Sequence, residues 1–124
     1  MGYSGQHTSD VSTSPPHPFS DPRRWSTDAV PAAHRLDYWV GAISEGFLAM
    51  EASGDAAQFH GELVSAPLGC VGVNWVQAAA QQVWRTPRGI ARGDQRVAYL
   101  LGNRDSDWRV SQDGREALMR PGDF

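Results

Sequence analysis

Trp108-Arg109-Val110-Ser111-Gln112-Asp113-Gly114-Arg115-Glu116-Ala117-Leu118-Met119-Arg120 decides the fold class. Asp113-Gly114 is a dipeptide that tolerates the two positive φ angles of a type I′ turn. Short segments with strand-like alternation flank it, so the stretch predicts a β-hairpin. Pro121-Gly122 then occupies the two central positions of a type II turn, ahead of Asp123 and Phe124. A turn of that kind is expected to lead into a further strand.

Moving toward the N-terminus, the period-two pattern continues. In Val97–Leu101, Val97, Tyr99 and Leu101 face one way and Ala98 and Leu100 the other. Val83-Trp84-Arg85 reads as a short strand, and Val71, Val73 and Trp75 alternate with Gly72, Asn74 and Val76. Phe59 to Ala66 forms the first strand of the series, with Phe59, Gly61, Leu63 and Ser65 on one side. Ahead of these, Leu36, Val40, Ile43, Phe47 and Met50 recur at steps of three and four, the spacing of one helical face. Pro31 suits a first helical position and Gly54 a stop, which predicts a helix from Pro31 to Glu51. Trp39 is placed to seat that helix against a sheet. The architecture expected is mainly β: one amphipathic helix, then about six short strands with the turn spacing of an antiparallel barrel or sandwich.

Residues 1–30 are rich in Ser, Thr, Pro, Gly and His, and Pro15, Pro16 and Pro18 interrupt any regular element. Such a segment buries too little apolar surface to offset its ordering entropy and reads as a disordered leader. The core-forming part is residues 31–124, one domain of modest size. The 124 residues carry 14 acidic and 11 basic side chains, all the latter arginine, for a net charge of −3. No clustered basic face is present; Arg85, Arg88, Arg92 and Arg96 are loosely spread, so nucleic-acid binding by this chain alone is not expected. Cys70, the only cysteine, allows no intramolecular disulfide and reads as a small apolar residue in a strand. No signal peptide and no apolar run of about 20 residues are found, so a cytoplasmic protein without membrane contact is expected.

Three stretches, taken in order and spacing, resemble the N-terminal ligand-binding domain of AraC-type transcriptional regulators. They are Arg35-Leu36-Asp37-Tyr38-Trp39 with its helix, Arg85-Thr86-Pro87-Arg88-Gly89-Ile90-Ala91-Arg92, and Val110 to Glu116 running into Leu118 and Pro121-Gly122-Asp123-Phe124. The resemblance spans about residues 27–124. It implies a cupin-like antiparallel β-barrel, here partial, that accepts a small-molecule effector and passes its state to a DNA-binding half with two helix-turn-helix units. That half and the later strands of the barrel have no counterpart in these residues, so the expected role is that of an effector-sensing fragment, with a homodimer as a further expectation.

Catalytic cupins resemble one another in a His-x-His and a Glu ahead of a strand that ends in Gly. The matching strand here is Tyr99-Leu100-Leu101-Gly102, and Arg85 to Gln95 ahead of it contains no histidine, no cysteine and a single carboxylate, Asp94. Imidazole or carboxylate ligands are what a divalent transition metal requires, so no metal site or cofactor is expected. His7 and His17 stand apart in the leader, and His34 and His60 read as surface or half-buried residues without an orienting partner. Gly69 and Gly72 are too sparse for a phosphate loop. No catalytic residue is assigned, and the chain reads as a non-enzyme.

For a ligand, Trp75 and Tyr99 are the pocket candidates, because each carries an amphipathic ring on the more apolar side of its strand. Arg88 is the candidate for pairing bidentately with an effector carboxylate. Packing competes with binding at all three positions, and Trp84 and Trp108 are expected to pack. Two other functions stay open: a stand-alone cupin-like binding protein or enzyme, and a protein–protein module acting through an open strand edge.

Overall fold

The computed structural model describes residues 21–92 and 98–124. These residues fall into two compact units, 21–92 and 98–124, and are mainly β. In the first unit the order is β1 (Arg23–Ser26), α1 (Arg35–Gly46), β2 (Glu51–Gly54), β3 (Gly61–Leu68), β4 (Val71–Ala78), β5 (Gln81–Trp84) and α2 (Pro87–Arg92). The second unit holds β6 (Trp108–Gln112) and β7 (Arg115–Met119). All pairings are antiparallel: β1-β3-β4, β2-β5 and β6-β7 form three separate sheets, none of which closes on itself among the described residues.

One face of the three-stranded sheet is covered by α1. Trp25, Trp39, Ala42, Ile43, Phe59 and Leu63 form the buried core, with Leu36, Tyr38, Phe47, Met50 and Ala52 packed around it. Each large side chain removed from water here contributes about 1.5–3 kcal/mol. Trp39, fully buried, sits at the centre: its Nε1–H donates to Gln81 Oε1 at 2.8 Å, and its ring lies 5.9 Å from that of Phe59. The helix therefore turns Trp39, Ala42 and Ile43 inward; of the expected stripe only Ile43 is buried, Leu36 and Val40 are half-buried, and Phe47 and Met50 lie half-buried beyond the helix end.

The helix bounds differ from those expected. Pro31 precedes a 3-10 turn, Ala32–His34, and α1 begins only at Arg35. It ends at Gly46, after which Phe47 leaves the helical region (φ −135°, ψ −86°); a Cβ at Gly46 would lie 2.8 Å from both Trp25 and Leu63, so the close approach of the sheet requires glycine there. Glu51, expected as the helix end, opens β2 instead and pairs with Trp84.

Part of the expected leader is structured. Arg23–Ser26 pairs with β3, burying Trp25, and Ser26 Oγ accepts from the Asp28 N–H to start a 3-10 turn, Thr27–Ala29. Thr27 is buried and its Oγ1 accepts the Gly61 N–H at 3.0 Å. Residues 1–20, with His7, His17 and the Pro15-Pro16 pair, lie outside the described residues. The strand expected from Phe59 begins at Gly61 and runs to Leu68. Cys70, expected within a strand, is exposed in the β3–β4 turn beside Gly69, whose φ is +61°. Pro87 opens the short helix α2, where Thr86 Oγ1 accepts the Gly89 N–H at 3.0 Å, and is not a simple chain turn.

In the second unit Asp113 (φ 54°) and Gly114 (φ 74°) make the hairpin turn as the dipeptide predicts. Pro121-Gly122 closes its turn through the Asp123 N–H and Arg120 carbonyl at 2.9 Å, with Gly122 at φ 95°. The strand expected over Val97–Leu101 is not formed: residues 98–101 are irregular, and Val97 lies outside the described residues. The partner of the C-terminal turn is Asn103, which is buried. Its backbone pairs with Gly122 and Asp123, and its Nδ2 donates to the carbonyls of Ser106 (2.8 Å) and Met119 (3.1 Å).

Candidate functional site

Side chains alternate across a strand, and residues directly paired in register share a face. Trp25, Leu63 and Val76 form one row of the three-stranded sheet and Gly61 pairs with Ala78, which fixes that parity as the face toward α1. The other parity gives the opposite face. Its rows are Ser26–Glu62–Gln77, then Arg24–Val64–Trp75, then Ala66–Val73, then Leu68–Val71. Six apolar side chains therefore adjoin one another on the face away from the helix.

This face is the candidate site. Val64, Leu68, Val73 and Trp75 are half-buried, and Val71 is 56% exposed. Ala66 is buried between larger neighbours and makes the low point of the surface. From Val64 to Leu68 the apolar strip runs about 13 Å, over two strands about 5 Å apart. Its polar end is an ion pair: Arg24 and Glu62 approach to 2.6 Å. The β3–β4 hairpin delivers this arrangement because Gly69 supplies the positive φ that a tight two-residue connection needs.

Trp75 is thus on the site, opposite Val64. Arg88 is exposed on α2, outside the three-stranded sheet, and Tyr99 belongs to the second unit, 41% exposed in an irregular segment and not on a strand face. The three predicted ligand residues are not brought onto one surface of one element. Val64, Ala66, Leu68 and Glu62 are candidate-site residues that the period-two reading passes over; the signal for the first three is the apolar parity of β3 opposite to Leu63. Arg85 reaches the Gly89 carbonyl at 3.4 Å within its own turn; Arg96 lies outside the described residues, as does the side chain of Arg92.

In the second unit the paired residues Trp108 and Met119, with Val110 and Ala117, make the more apolar side of the hairpin. A shallow depression of about 350 Å³ runs along it, lined by Val110, Gln112, Asp113, Arg115, Glu116 and Ala117. Among the described residues no group of three or more His, Cys, Asp or Glu side chains is placed to hold a metal ion, and His34 and His60 are exposed. No helix among them is long and apolar enough to cross a membrane.

No family model matches the chain, and no solved structure matches it. It is similar to an uncharacterized protein in the nit 5′ region of Bacillus sp. strain OxB-1, with 29% identity over 99 residues. The match takes in 79% of this chain and 38% of that protein, so the chain spans well under half of the relative's length.

Proposed function

We propose that this chain is the effector-sensing part of an AraC-type transcriptional regulator, its strands belonging to a cupin-like barrel and its apolar sheet face receiving a small apolar or aromatic effector. The observation that carries the reading is the second apolar face of the sheet, Val64, Ala66, Leu68, Val71, Val73 and Trp75, which α1 does not cover. A sheet with one packed face ordinarily turns polar residues outward on the other. An apolar strip with an aromatic ring at one end instead suits a small planar ligand. The effector would act by population shift, binding one arrangement of the domain better and biasing its contacts with a DNA-binding half and with a second copy. No catalytic role is assigned to any residue.

Calorimetry with the 124-residue chain and a panel of uncharged one- and two-ring aromatics tests the binding part. A saturable heat is expected, weakened about tenfold by Trp75→Ala and unchanged by Trp84→Ala, which alters β5. No saturable binding, or equal losses in both variants, refutes the site. Reading the coding DNA on from the codon of Phe124 tests the regulator part, which requires two helix-turn-helix units.

A second reading draws on β4, which is the outer strand of the β1-β3-β4 order. That edge, unpaired among the described residues, suits pairing with a strand of another chain. A dimer in solution that dissociates on placing Pro in the middle of β4 would favour this over effector binding.

A further inference from the structure

The charge of the effector follows from the polar end of the sheet face. Arg24, Val64 and Trp75 lie in one row across three strands, so a ring resting on Val64 against Trp75 has any substituent on its β1 side pointing at Arg24. A guanidinium there would ordinarily select a carboxylate. Glu62, in the neighbouring row, already holds it: the two side chains meet at 2.6 Å, with Glu62 the less exposed at 30%. The remaining groups of that row, Ser26 and Gln77, are uncharged. An incoming carboxylate therefore has to displace Glu62 and sit beside its charge, whereas a neutral ring meets only the apolar strip.

We propose, resting on the effector reading above, that Glu62 is a specificity-determining residue: by occupying Arg24 it excludes anionic aromatics and makes the face selective for neutral ones. The pair is partly exposed, so its influence is modest, about two- to fivefold in affinity.

Indole and indole-3-carboxylate are suitable probes, titrated into the ¹⁵N-labelled 124-residue chain while the indole N–H resonance of Trp75 is followed. That resonance is identified by its disappearance in Trp75→Phe. Indole is expected to bind more tightly than its carboxylate. Glu62→Gln should narrow the gap by about two- to fivefold, Glu62→Asp should retain the original preference, and adding Arg24→Gln to Glu62→Gln should remove the gain. Tighter binding of the carboxylate by the unaltered chain, or an unchanged ratio in Glu62→Gln while indole still moves Trp75, overturns the role of Glu62 and leaves the effector face standing. Failure of both probes to move Trp75 overturns the face itself, and the selectivity with it.

Discussion

Gly61→Ala puts the packing of α1 on the sheet to a direct test. A Cβ at Gly61 would lie 2.8 Å from Trp39 Cε3, 2.9 Å from Cζ3 and 3.0 Å from Cδ2. The obstacle is the face of a rigid ring, and the ring has nowhere to go: it is fully buried, pinned by its bond to Gln81 and wedged against Phe59. Forcing one methyl into such a site costs about 1–3 kcal/mol. Tilting the ring away sacrifices the Gln81 hydrogen bond instead, worth about 1 kcal/mol. Against this, losing a glycine from the unfolded chain stabilises by about 0.4–1 kcal/mol. The net loss is about 1–2 kcal/mol, a fall in melting temperature of about 5–15 °C for a domain of this size. Gly72→Ala supplies the control: it is the same substitution in the same sheet, and a Cβ there meets nothing within 4 Å. Thermal and urea melts followed by circular dichroism compare the two. If Gly61→Ala melts at or above Gly72→Ala, Trp39 does not rest on β3 and the account of the core is wrong.

Two further perturbations probe regions that the sequence pattern passes over. Thr27→Val keeps the volume of a buried side chain and removes the acceptor of the Gly61 N–H; a loss of about 1–3 kcal/mol is expected in urea melts, with Thr27→Ser restoring most of it, whereas an unchanged midpoint would show that the Thr27–Gly61 hydrogen bond adds nothing to the fold. Asn103→Ala leaves the carbonyls of Ser106 and Met119 without their side-chain donor; faster amide exchange at Asn103, Gly122 and Asp123 should follow, and exchange rates equal to those of the parent chain would refute the bridging role.

What the sequence made legible was governed by local chemistry. The β6–β7 hairpin follows from Asp113 and Gly114, whose positive φ values few other dipeptides adopt. The Pro121-Gly122 turn follows in the same way. The existence of α1 was readable from its periodicity, but its end was not, since the apolar spacing runs on through Phe47 and Met50 while the helix stops at Gly46. β1 was invisible because Arg23-Arg24-Trp25-Ser26 buries a single apolar side chain and trails a Pro-rich segment. β2, Glu51-Ala52-Ser53-Gly54, consists of residues that strands usually avoid and exists through its pairing with β5. Residues 98–101 show the opposite failure: alternation of Ala98, Tyr99, Leu100 and Leu101 is compatible with a strand, yet the segment is irregular. At the candidate site, Trp75 was readable from period two, whereas its companions on β3 and the Arg24–Glu62 pair needed the register of three strands.

That register is what joins the fold to the proposed effector face. Moving β4 by one residue against β3 would exchange its two faces, carrying Trp75 and Val73 toward α1 and Val76 and Asn74 to the other side. The helix face already holds two indoles, Trp39 against Gly61 and Trp25 beside Gly46. Gly69, at φ +61°, holds the connection to two residues and so excludes the slip from the hairpin end, while the Thr27–Gly61 hydrogen bond fixes the far end of β3. Packing on one face thus dictates what the other face can present. With α1 saturated by Trp25, Trp39, Phe59 and Leu63, the alternation of β3 and β4 leaves Val64, Ala66, Leu68, Val71, Val73 and Trp75 together on the far side, next to a single neutralised charge pair. An apolar surface produced in this way follows from the alternation of two strands, and the proposed effector face rests on it.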